Sequence, residues 1–129
     1  MGKMLIVEDS ATFRQTFRKA LGHRFPEMEI AEAENGEQAL DIIETFKPDI
    51  VFMDIRLPGE NGLALTGRIK IGHPNIFVII LTEYDLPEYR AAAFKNGADD
   101  FITKGALNMS QLVAMVNKMM PEKNRYDQK

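Results

Sequence analysis

Ile50-Val51-Phe52-Met53-Asp54 is an unbroken apolar run that stops on an acid, and Ile76-Phe77-Val78-Ile79-Ile80-Leu81-Thr82 is another that stops on a hydroxyl. Neither run alternates apolar with polar residues. Strands buried on both faces read this way, and such strands belong to a parallel sheet with helices on each side. Working outward, Met4-Leu5-Ile6-Val7 is a run of the same kind. Asp100-Phe101-Ile102-Thr103 is a shorter one, and Glu29-Ile30-Ala31 with its flanks is a weak one. Helical patterns lie between them. Ser10 caps a helix carrying Phe13, Phe17, Ala20 and Leu21, with Gly22 as its expected stop. Asn35 caps a second helix, with Ala39, Leu40, Ile42, Ile43 and Phe46 inside, and Leu63 to Ile71 forms a third. Asp85 and Pro87 open a fourth, running to about Asn96 before Gly97, and Ser110 opens a fifth that Pro121 ends. Strand followed by helix, five times over, predicts an α/β domain with a five-stranded parallel sheet and right-handed crossovers. Five units suit an open doubly wound sheet rather than an eight-unit barrel.

The chain has 129 residues, ordinary for one domain, and a formal net charge of −3. Hydrophobic residues make up 45% and charged residues 27%, which excludes wholesale disorder. Cysteine is absent. That removes disulfides, thiolate zinc sites, iron–sulfur clusters and a cysteine nucleophile together. The mild acidity offers no basic footprint for nucleic acid. No apolar run approaches the roughly 18–20 residues of a membrane span. The short run Met4–Val7, ending in Glu8 and Asp9, is not a signal peptide, and Ile6 breaks a myristoylation pattern. The expectation is a soluble, cytoplasmic domain over residues 1–120, with 121–129 as a polar tail or the start of a linker.

In doubly wound sheets, ligands bind beyond the carboxyl ends of the strands. Glu8 and Asp9 follow the first strand, Asp54 the third, Thr82 the fourth and Lys104 the fifth. Three carboxylates together repel one another, and a divalent cation relieves the repulsion. The donors are hard oxygens, with neither His23 nor His73 at a strand end. Such a set favours Mg²⁺ or Mn²⁺. A carboxylate beside such an ion and a lysine can attack a phosphoryl group and form an aspartyl phosphate. The metal and Lys104 would neutralise the equatorial oxygens. Each residue also has a plainer reading. Asp9 could serve as a helix cap, Asp54 in a turn before Pro58-Gly59, Thr82 as a structural residue and Lys104 as a solvated lysine. Their joint occurrence at one sheet edge carries the functional reading.

In this order, Leu5-Ile6-Val7-Glu8-Asp9-Ser10, Val51 to Gly59, Ile80-Leu81-Thr82 and Gly97 to Lys104 resemble the receiver domain of bacterial two-component response regulators. The resemblance implies a flavodoxin-like (βα)5 fold with strand order 2-1-3-4-5. It implies that Asp54 is the phosphoacceptor, served by a histidine kinase or phosphotransfer protein. Glu8 and Asp9 would be the acidic pair, Asp9 the direct Mg²⁺ ligand and Glu8 acting through water, with the backbone carbonyl of Arg56 completing the set. Thr82 would be the switch hydroxyl, Lys104 the partner of the phosphoryl group, and Phe101 the aromatic that moves with Thr82. Helix four, strand five and helix five would form the switched surface, offered to an output domain, a downstream protein or a second copy in a homodimer.

Three positions depart from the common family pattern. Gly105 stands where many receivers have proline, Glu83 where a small residue is usual, and Phe101 lacks a hydroxyl. Lysine followed by Gly-Ala resembles receivers joined to helix-turn-helix outputs. Among rivals, an aspartyl-phosphate phosphatase of the haloacid dehalogenase type needs an acid at position 56, where Arg56 stands. No P-loop and no G-x-G-x-x-G is present. An interaction module of the same fold that is never phosphorylated is the other alternative. The methionines near the C-terminal helix, Met109, Met115, Met119 and Met120, read as core filler plus ordinary surface, with an adaptable partner or dimer surface on helix five as the functional alternative.

Overall fold

The apolar runs become strands and the amphipathic stretches between them become helices. The structure, a computed structural model, describes residues 2–120; the expected tail from Pro121 to Lys129 lies outside the described residues. The strands are β1 (Lys3–Val7), β2 (Glu29–Ala33), β3 (Ile50–Met53), β4 (Phe77–Thr82) and β5 (Asp100–Thr103). The helices are α1 (Ala11–Arg24), α2 (Gly36–Phe46), α3 (Gly62–Gly72), α4 (Pro87–Lys95) and α5 (Met109–Met119). All neighbouring strands pair in parallel, in the order β2-β1-β3-β4-β5. This is the expected doubly wound, flavodoxin-like sheet.

The pleat divides the core. Leu5, Val7, Val51, Met53, Val78 and Ile80 face one side and pack against α2, α3 and α4 through Ala39, Ile43, Leu65, Ile69 and Ala93. Met4, Ile6, Ile50, Phe52, Ile79 and Leu81 face the other and meet Phe17 and Leu21 of α1 and Leu112 and Val116 of α5. Both faces are covered, which is why the central strands carry no alternation. No helix among the described residues is long and apolar enough to cross a membrane.

Several helix ends differ from the sequence reading. Gly22 does not stop α1, which continues to Arg24, where the Phe25 N–H donates to the Leu21 carbonyl. A helical glycine costs only about 1 kcal/mol, and the buried Leu21 and Phe25 hold the last turn. Asn108, not Ser110, caps α5, its side chain accepting the Gln111 N–H. Leu86 rather than Asp85 is the N-cap of α4, with no side-chain cap bond and Pro87 opening the helix. A 3-10 turn over Lys104–Ala106 was not foreseen. Gly97 does end α4 as expected, with φ +98°.

Candidate functional site

Register assembles the site. Val7 of β1 lies opposite Met53 of β3, so Glu8 and Asp54 leave the sheet side by side, and the Asp54 N–H donates to the Val7 carbonyl at 3.0 Å. Thr82 lies opposite Thr103, so Lys104 emerges next to the end of β4. The strand order reverses about β1 and β3, where this kind of sheet opens its crevice. One carboxylate oxygen from each of Glu8, Asp9 and Asp54 lies within 4.8 Å of the others.

Lys104 ties the cluster together. Its Nζ lies 2.5 Å from Glu8 Oε1 and 3.3 Å from Asp54 Oδ2. The other Glu8 oxygen, Oε2, accepts the Ser10 N–H at 2.9 Å. Glu8 and Asp54 are buried and Asp9 is exposed. Burial pushes the Glu8 carboxyl above its usual value, and the charge of Asp54 adds to this, against the opposing hydrogen bonds from Lys104 and Ser10. Burial also works against the Lys104 ammonium. The hydrogen bond to Glu8 and the charges of Asp54 and Glu8 outweigh it and raise the Lys104 pKa.

Thr82 is fully buried and takes a long 3.5 Å contact from the Tyr84 N–H. Phe101 is buried in the core on the α2–α3–α4 side of the sheet, with the Arg90 guanidinium 4.6 Å over its ring. Arg56 is exposed, and its guanidinium sits 4.7 Å over the ring of Tyr84, bridging the loops after β3 and β4. Glu83 is exposed. The described peptide bonds, Lys104–Gly105 among them, are all trans.

Two residues at the site were not foreseen. Arg14 is buried; its guanidinium donates to the Glu8 carbonyl at 2.6 Å and to Glu32 Oε1 at 2.8 Å. Phe13 lies beneath Lys104, with Nζ 4.2 Å from the ring centroid. A signal for Arg14 was present. It shares an inward stripe with Phe17 and Leu21, and a charge in such a stripe calls for a partner. Phe13 gave none, because an aromatic at an apolar position reads as core.

The donor set fits a hard divalent cation. Among the described residues, Glu8, Asp9 and Asp54 are the one group of three metal-capable side chains, and all its donors are carboxylate oxygens. The family described as the response regulator receiver domain matches residues 4–117. An uncharacterized response regulatory protein of Vibrio cholerae is 35% identical over 123 residues, 94% of this chain and 46% of that protein. The oxygen regulatory protein NreC of Staphylococcus aureus is 33% identical over 114 residues, 88% of this chain and 52% of that protein. The chain therefore spans about half the length of these curated relatives. Among solved structures, the signal receiver domain of a DNA-binding response regulator from Colwellia psychrerythraea superposes with a TM-score of 0.88 at 28% identity, covering 95% of this chain and 100% of that one. A LuxR-family DNA-binding response regulator from Staphylococcus aureus gives 0.82 at 33% identity, covering 92% and 98%.

Proposed function

This chain belongs to the response regulator receiver family of two-component signalling, and we propose that it accepts a phosphoryl group on Asp54 and converts it into a changed surface. The donor is a phosphohistidine on a histidine kinase or phosphotransfer protein. An Asp54 carboxylate oxygen attacks phosphorus, the P–N bond breaks, and the histidine nitrogen leaves with the electron pair and takes up a proton. The product is an acyl phosphate. The observation that carries this reading is the Lys104 ammonium between the buried carboxylates of Glu8 and Asp54, at the mouth of the sheet. There it can follow charge that develops on the phosphoryl oxygens at little reorganisation cost.

Glu8, Asp9, Asp54 and the Arg56 carbonyl would hold Mg²⁺, or Mn²⁺ in its place. When bound, the ion supplies positive charge to the phosphoryl oxygens. Both Glu8 oxygens are already engaged, by Lys104 and by the Ser10 N–H, while Asp9 is exposed. This supports a direct role for Asp9 and a water-mediated one for Glu8. Phosphorylation adds about −1.5 to −2 charge and strong acceptor oxygens. Thr82 and Phe101 then change together, and the surface of α4, β5 and α5 changes with them. That surface would act on an output domain, a downstream protein or a second copy. The similarity to receiver domains of DNA-binding response regulators favours a transcriptional output. The role is regulatory, with self-catalysed phosphorylation and dephosphorylation as its only chemistry, and this chain itself binds neither nucleic acid nor membrane.

Intact mass after incubation with Mg²⁺ and acetyl phosphate tests the reading. The parent should gain one phosphoryl group and Asp54→Asn none. If acetyl phosphate fails while Mg²⁺ still binds, Glu83 is screening small anionic donors and a phosphorylated kinase should succeed. If neither phosphorylation nor Mg²⁺ binding occurs, the chain is an interaction module that is never phosphorylated.

A further inference from the structure

We propose that Phe13 is a positioning residue for Lys104, a fixed aromatic platform that holds the ammonium at the depth where it reaches both Glu8 and Asp54. The Nζ lies 4.2 Å from the Phe13 centroid, on top of its contacts with Glu8 at 2.5 Å and Asp54 at 3.3 Å. Two unequal carboxylate contacts alone would let a long, flexible lysine stem slide toward Glu8. A ring face adds a third attraction, because its quadrupole draws the cation, and that attraction grows as water is excluded. Here the Lys104 side chain is only 11% exposed.

The platform is fixed from below. Phe13 stacks on Phe17 at 5.7 Å and 17°, and Phe17 meets Phe52 edge-on at 5.1 Å and 84°. Phe52 is in the middle of β3, two residues before Asp54. The Phe13 N–H is itself bound by the Ser10 cap at 3.3 Å. Three rings thus run from the core to the ammonium, and the strand that supplies Phe52 leads directly into Asp54. Leucine or methionine would keep an apolar side chain at this half-buried position but offer the cation no ring face.

The consequence for rate rests on the phosphoacceptor reading; the contact itself does not. Phe13→Leu, with Phe13→Met as a second variant should the first fold poorly, removes the ring and keeps the bulk. Phe13→Tyr keeps the ring. In nuclear magnetic resonance spectra, the ε-methylene protons of Lys104 should lie upfield in the parent and in Phe13→Tyr, and return to ordinary lysine positions in Phe13→Leu or Phe13→Met. Phosphorylation by acetyl phosphate with Mg²⁺ should be about three- to thirtyfold slower in those two variants. In a Lys104→Ala background the Phe13→Leu change should add nothing further. An unmoved ε-methylene signal, or an equal loss of rate with and without Lys104, would overturn the assignment. If the parent takes up no phosphoryl group from acetyl phosphate or from a phosphorylated kinase and binds no Mg²⁺, the phosphoacceptor reading fails alone and the ε-methylene signal still decides this one.

Discussion

At Gly62, one methyl group would decide whether the loop after Asp54 can close. A Cβ there would lie 1.9 Å from the Asp54 carbonyl oxygen and 3.0 Å from the Ile55 Cα, and backbone atoms cannot swing aside. The Gly62 N–H also donates to the Ile55 carbonyl at 2.7 Å, so the loop folds back on its own start. Gly62→Ala should cost about 2–3 kcal/mol. It should also displace Asp54, so that uptake of phosphoryl groups falls with the melting temperature. Gly22 presents the opposite case. It sits inside α1 with nothing within 4 Å of an added Cβ. Gly22→Ala should stabilise by about 0.5–1 kcal/mol, through lower entropy of the unfolded chain and better helix propensity. Thermal unfolding followed by circular dichroism should move down for the first variant and up for the second. Shifts of the same sign would contradict this account of the space at the two positions.

Helix α1 does more than cover the sheet, because Arg14 carries a charge into its buried face. The guanidinium joins α1 to Glu32 of β2 and to the carbonyl of Glu8, where the metal-capable acids begin. Arg14→Met keeps much of the apolar stem and removes the fork. Glu32 keeps Arg18 at 2.7 Å and is itself 28% exposed, so the loss is smaller than for a fully buried pair, about 1–3 kcal/mol. The urea midpoint should fall with an unchanged slope, and Mg²⁺ should bind more weakly because the Glu8–Asp9 loop loses its tether. Unchanged Mg²⁺ affinity would confine Arg14 to a structural role. This helix also illustrates what could be read from the chain. Ser10, Phe13, Phe17 and Leu21 announced α1, as the unbroken apolar runs announced the sheet and the acids after them announced the site. Helix ends were harder, since Asn108 and Ser110 are both competent caps and only packing of Leu112 and Val116 selects between them. The inward stripe shows that Arg14 needs a partner but not which one, and Phe13 meets Lys104 from another element, a contact no local pattern encodes.

Across the molecule, apolar packing fills both faces of the sheet and buried charge gathers at its carboxyl edge. The sheet is sealed by two apolar cores, and its carboxyl edge holds Glu8, Asp9 and Asp54 with Lys104 as counter-charge. Three carboxylates against one ammonium leave an excess of negative charge at that edge, which an added cation would relieve. Removing Asp9, the exposed member, should relieve repulsion without opening a cavity. Asp9→Asn should therefore melt at or above the parent when Mg²⁺ has been removed with a chelator. Adding Mg²⁺ should stabilise the parent according to its occupancy, about 1.4 kcal/mol at ten times Kd. The same addition should leave Asp9→Asn almost unmoved, so the order of the two melting temperatures reverses as Mg²⁺ rises. The crossing separates a site built to hold an ion from a generally acidic surface, because non-specific screening would raise both curves together and they would never cross.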